Sequence, residues 1–200
     1  MRKILRTTQN IDLIADLHRL KIELRKLREE LHAERADNPQ AEKNIRFLTR
    51  ELFSESGPEP GLIRRAEEIP SIEAHYSRND RMPIGSLPQS PEMARARGWD
   101  GSVAVACHQF TSPDRSNVKY VSPDGHSEVI YDHSGNIVTA SEDYGTYNFT
   151  DSRQDPIGHF YQDVLPWILW GNDEMDSTDM RQRLRALVVY GGIETRQSLH

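Results

Sequence analysis

An α+β fold is what the order of periodicities along these 200 residues predicts: helical repeats, a proline-rich interval, short alternating strands, then helices again. Leu13, Leu17, Leu20, Leu24, Leu27 and Leu31 alternate steps of four and three, which is an apolar stripe on one helix face. Ser-Pro-Asp-Gly at 122–125 and His-Ser-Gly-Asn at 133–136 punctuate short strand-like runs. Asp155-Pro156 and Asp176-Ser177-Thr178 then stand where helices would start.

Taken in order, the first 56 residues read as a helical hairpin or a coiled coil. Between the leucines lie Arg19, Lys21, Glu23, Arg25, Lys26, Arg28, Glu29 and Glu30, good helix formers that keep the outer faces wet. Asn38-Pro39 breaks the pattern, because proline disfavours helical geometry in the residue before it. A second helix is expected through Ile45, Leu48 and Leu52; folding back covers the stripe within one chain, whereas self-association through Leu13–Leu31 covers it between two. Residues 57–96, with GPEPG, Pro70, Pro83, Pro88 and Pro91, read as a linker that Ile63, Ile69 and Ile72 could anchor in places.

The domain at 97–200 is expected to open with an alternating strand over Ser102–Phe110. A meander follows, over Asn117–Val121, Glu128–Tyr131 and Ile137–Thr139. A helix from Asp155 should run until Pro166 interrupts it. The last helix, capped by Asp176-Ser177-Thr178, carries Met180, Leu184, Leu187 and Val188 and stops at Gly191-Gly192.

Mean hydropathy is −0.72 and 36% of residues are apolar, so no run approaches a membrane span. MRKILRTTQN lacks the apolar stretch of an export signal, and we expect synthesis in the cytosol. Cys107 is the single cysteine, which excludes an internal disulfide and a cysteine-based zinc cage. Charge is uneven: residues 98–175 hold 3 bases against 12 acids, while 1–97 hold 18 against 16. Such a field repels polyanions at long range, which counts against simple nucleic-acid coating and less against a cleavage enzyme.

The block YDHSGNIVTASEDYGTYNF followed by GHFYQDVLPWILWGN resembles the carboxy-terminal toxin-type domains of bacterial polymorphic toxins, including Rhs and type VI secretion effectors. The likeness spans about Tyr120 to Asn172. It implies an effector in bacterial competition, delivered to another cell by a signal-peptide-independent secretion system and paired with an immunity protein. Nucleases, cell-wall hydrolases and deaminases share this delivery architecture, so the resemblance does not choose the chemistry.

Candidate chemistry falls in three places. His126 and Glu128 are two apart, on one face of a continuous strand, where a carboxylate orients an imidazole or an acid and a base share a substrate; a plain hairpin turn, with His133 beyond it, is the structural alternative. Thr146, Tyr147 and Asn148 offer hydroxyl, phenol and amide to a developing charge; a loop with Tyr147 and Phe149 in the core accounts for them equally. His159 and Asp163 are four apart and share a helix face. No cofactor is expected, and a divalent metal would need further ligands from Glu128, His126 or His108. Trp167, Trp170 and Phe160 read as core. Cys107 and His108, adjacent on a strand, should point to opposite faces and form no dyad. The expectation is a toxin-type hydrolase working by general acid-base catalysis, nuclease ahead of cell-wall hydrolase; the alternative is a non-catalytic interaction protein using its leucine helices and an acidic docking domain.

Overall fold

The computed structural model describes residues 2–33, 38–52, 69–79, 83–103 and 106–191. Their order is α1 (Arg2–Ala33), α2 (Pro39–Leu52), α3 (Ile72–Asn79), α4 (Pro91–Ala96), β1 (Asp100–Val103), β2 (Val118–Val121), β3 (Glu128–Tyr131), α5 (Pro156–His159), α6 (Leu165–Trp170) and α7 (Met180–Tyr190). The fold is α+β.

The leucine stripe finds its apolar partner inside the chain. Leu17, Leu20, Leu24, Leu27 and Leu31 are buried in one core with Ala41, Ile45, Phe47 and Leu48 of α2, Ile168 and Leu169 of α6, and Leu184, Leu187 and Val188 of α7. The N-terminal helices therefore share a core with the C-terminal ones, across the proline-rich interval. Asn38 starts α2 by accepting the Ala41 N–H at 3.0 Å, the capping role that short polar side chains fill. Buried Asn44 then donates its amide to the carbonyls of Leu187, Val188 and Gly191 at 3.2, 3.0 and 2.7 Å, covering the open end of α7. Trp170 adds a bond from its indole N–H to Asp16 of α1 at 3.0 Å. Ile14 and Ile22 of α1 are exposed. No helix among the described residues is long and apolar enough to cross a membrane.

In the expected linker, Ile69 is buried and α3 docks by its histidine, whose Nε2 lies 2.7 Å from the Gly171 carbonyl. Ile63 lies outside the described residues.

β1, β2 and β3 form one antiparallel sheet in sequence order, with Ser102 opposite Lys119 and Tyr120 opposite Val129. The alternating pattern overstates the first strand: β1 ends at Val103, and Ala106–His108 turn as a 3₁₀ helix. Ile137–Thr139 makes only a bridge, Ile137 to Tyr131, instead of a full strand. That bridge and a second, Ser127 to Tyr147, cover the outer edge of β3, which is why all four β3 residues are buried and none alternates outward. A smaller core of Leu87, Ala94, Tyr120, Val129 and Tyr131 joins α4 to the sheet.

Asp155 caps α5 as its sequence predicts, accepting the Gly158 N–H at 3.0 Å with Pro156 in the first turn. Pro166 does not end the helical path. A π turn at Phe160–Val164, closed by the Leu165 N–H on the Phe160 carbonyl, shifts the bonding register before α6 takes in Pro166, whose missing N–H falls in that first turn. The last helix is capped one residue beyond the predicted triplet. Asp179 and Gln182 form a reciprocal capping box at 2.8 Å in each direction, while Asp176 holds the loop before it through the N–H groups of Asn172 and Thr178. Asp179→Ala should cost about 1 kcal/mol, read as a lower urea midpoint at unchanged slope.

Candidate active site

Residues 145–148 run beside the start of β3 as an irregular fourth strand. The Thr146 carbonyl accepts the Glu128 N–H at 3.1 Å, and the Asn148 N–H bonds the His126 carbonyl at 2.7 Å. Gly145 makes this possible, because a Cβ there would strike the Glu128 carbonyl and the Val129 Cα. The pairing carries Tyr147 over His126, with their rings stacked at 5.6 Å and 13°.

The next two residues, Phe149 and Thr150, tie this strand to the helix. Asp163, in the π turn, accepts the Phe149 N–H on Oδ1 at 2.9 Å and the Thr150 N–H on Oδ2 at 3.2 Å. Both histidines are then fixed by carbonyls of the same short segment. His126 Nδ1 lies 2.8 Å from the Asn148 carbonyl, and His159 Nδ1 lies 3.0 Å from the Thr150 carbonyl and 3.1 Å from Asp163 Oδ2. A carbonyl oxygen only accepts, so each Nδ1 carries the proton and each neutral ring keeps its basic lone pair on Nε2. Carbonyls two residues apart are separated by at most about 7 Å. One backbone segment thus presents two oriented imidazoles, with Phe149 between their anchors. Phe149 is not core, since it is 43% exposed.

Glu128 plays a different part from that suggested by its spacing to His126. His126 lies two residues before β3, and its ring turns to the Asn148 carbonyl, whereas the Glu128 carboxylate turns to the Asn148 amide. Glu128 is buried, and its carboxylate takes the Asn148 amide at 2.8 Å, Lys119 Nζ at 3.1 Å and His108 Nε2 at 3.2 Å. Burial pushes the carboxyl up, but Lys119, His108 and Asn148 outweigh it and hold it well below the usual carboxylate range. Glu128 is therefore an anion at neutral pH that fixes Asn148 from behind. Sequence positions 126, 128, 146, 147 and 148 do come together, and 159 and 163 join them through the backbone of 149 and 150.

His108 is the member of this network that spacing undervalues. Its Nδ1 lies 3.2 Å from the Asp143 carbonyl, so both ring nitrogens face acceptors and the ring is an imidazolium. Burial pulls its proton affinity down, yet Cys107 and Glu128 more than offset that and raise it to about 10. Cys107 bears on the His108 ring because the 3₁₀ turn, unlike a strand, does not send neighbouring side chains to opposite faces. With both nitrogens donating, His108 cannot serve as a base. Lys119 was legible in principle: the register, with Lys119 opposite Ile130, places it diagonal to Glu128 on the same face of the hairpin. Asp143, fully buried, anchors the turn by accepting the N–H groups of Phe110 and Thr111 at 2.6 and 2.5 Å.

Among the described residues no three His, Cys, Asp or Glu side chains are grouped to hold a metal ion. His133 is exposed in its turn. A cavity of about 220 Å³ lies against Val129, Ile130, Ile137, Tyr144 and Gly145, and none of the seven sequence-predicted site residues lines it. Comparison with family models, with curated proteins and with solved structures finds no match to this chain.

Proposed function

We propose that this protein is a toxin-type effector that cleaves its substrate by general acid-base catalysis, as a nuclease in preference to a cell-wall hydrolase. One observation carries the reading: His126 and His159 are each held by Nδ1 to carbonyls on either side of Phe149, so one short backbone segment orients both imidazoles. One neutral imidazole removes the proton from the nucleophile while the other, as imidazolium, protonates the leaving oxygen. Asp163 holds His159 in its tautomer, and Thr146 and Tyr147 border the same strand. Glu128, kept ionised, supports Asn148 and leaves proton transfer to the histidines.

Leu17, Leu20, Leu24, Leu27 and Leu31 are buried against α2, α6 and α7 of their own chain, so the interaction reading would rest on the acidic docking domain. The same burial dictates the test, which must use the full chain. Induced expression in bacteria should arrest growth, and the His126→Ala, His159→Ala double variant should relieve it at equal soluble yield. Arrest that survives the double variant refutes the site.

A further inference from the structure

We infer that the cavity beside β3 is a binding site for a small aliphatic amine that also carries a carbonyl group, an acylated diamine being the simplest example. The carbonyl accepts the Ile130 N–H, the ammonium pairs with Asp173, and the methylenes lie against the aliphatic lining. The inference stands apart from the hydrolase reading and shares no side chain with it.

The outer edge of β3 carries a gap. The Ser122 N–H bonds the Ser127 carbonyl at 2.8 Å, which makes 122 and 127 a bonded pair. Antiparallel partners alternate, so Tyr120–Val129 and Val118–Tyr131 are the next bonded pairs, and the N–H and C=O of Glu128 and Ile130 turn outward. There the Glu128 N–H reaches the Thr146 carbonyl at 3.1 Å, and the Ile130 carbonyl takes the Val138 N–H at 2.9 Å. Between these two bonds, no acceptor among the described residues takes the Ile130 N–H. Ile130 is fully buried, and a buried backbone N–H without a partner is rare and costly.

The cavity lies at that gap, for its lining includes Ile130, Val138 and Gly145. An apolar cavity of roughly 150 Å³ takes up benzene, so about 220 Å³ holds about nine non-hydrogen atoms at the same density. Six of the eleven lining residues are aliphatic, and one of them, Ile84, is 51% exposed and would gain cover from an occupant. A carbonyl is what a further strand residue would have offered the Ile130 N–H.

Asp173 sets the charge of the occupant. It is the one charged residue of the lining; its Oδ1 takes the Met175 N–H at 2.7 Å, and no cation pairs with it among the described residues. With 3 bases against 12 acids over residues 98–175, the surrounding field favours a cation and opposes a carboxylate or phosphate. Acceptor, aliphatic body and ammonium together define the ligand.

The test titrates the ¹⁵N-labelled full chain with N-acetylputrescine, which has all three features. N-butylacetamide lacks the ammonium, and hexylamine lacks the carbonyl. Saturable binding of N-acetylputrescine is expected, with the Ile130 amide shifting downfield and exchanging more slowly with solvent. Loss of the ammonium should weaken binding about 10-fold, the lower end for a charge-assisted bond because Asp173 is half-buried; loss of the carbonyl should weaken it about 2- to 10-fold. Asp173→Asn, whose amide oxygen can still accept from Met175, should bind N-acetylputrescine no better than the wild type binds N-butylacetamide. Thr139→Trp, at an exposed position of the lining, should fill the cavity and abolish binding of all three. Absence of saturable binding, binding that leaves the Ile130 amide unmoved, or an affinity indifferent to Asp173→Asn each overturns the inference.

Discussion

Glu128→Ala should destabilise the fold by about 3 kcal/mol, the lower end of what breaking a buried ion pair costs. The carboxylate meets Lys119, His108 and Asn148 at 3.2 Å or less, and alanine leaves two cations facing each other across a void. Two responses keep the loss from the upper end. His108 can release its proton once the anion is gone, and Lys119, with 16% of its side chain exposed, can turn toward water. The pH dependence of the wild type has a definite sign. Glu128 is depressed, so its contribution is present above the ordinary value of 4.5 and is lost as pH falls through its folded value. His108 is raised, so its contribution is full below 6.5 and is lost as pH rises through about 10. Urea denaturation at a series of pH values should show stability declining over that alkaline window. In Glu128→Gln the decline should be smaller and finish at lower pH, because the imidazolium has lost its counter-ion and its folded value moves back toward 6.5. A variant with unchanged alkaline behaviour contradicts the pairing.

The larger kinetic effect belongs to the histidines. Removing a general acid or base costs about 10²- to 10⁴-fold in rate, and His126→Ala and His159→Ala should each fall in that range. The proposed mechanism puts the two in one proton relay, so the double variant should be scarcely slower than the slower single variant. Each single variant should also lose one limb of the pH-rate profile, whereas a merely structural histidine would lower the whole curve. Asp163→Asn tests the scaffold separately. An amide cannot accept from Phe149, Thr150 and His159 as a carboxylate does, so kcat should fall while both imidazoles are still present.

Much of the helical half was legible because its signals are local and periodic. The leucine stripe, the break at Asn38-Pro39 and the Asp155 cap depend on neighbours three or four residues away. The errors arose where geometry departs from the regular lattice. Alternation around Cys107 suggested a strand, yet Asp143 gathers the backbone at Phe110 and Thr111 into a turn, and no local pattern encodes a partner 32 residues away. Pro166 carried a stop signal that the preceding π turn cancels. The His159–Asp163 pair was readable from its spacing, but its link to His126 runs through backbone carbonyls, which every sequence has and none displays. Phe149 was as good a core residue as any until the edge of β3 was seen to be covered by its neighbours instead.

Asn44 sets the timetable of assembly. Its amide closes the end of α7 on carbonyls more than 140 residues downstream, and the stripe of α1 is sealed by the same helix. During synthesis the first two helices must wait, with their leucines open to water, until the chain has grown past Gly191. The protein therefore has no folded N-terminal half to release early; a ribosome that stalls before α7 holds an apolar hairpin that chaperones and proteases would recognise.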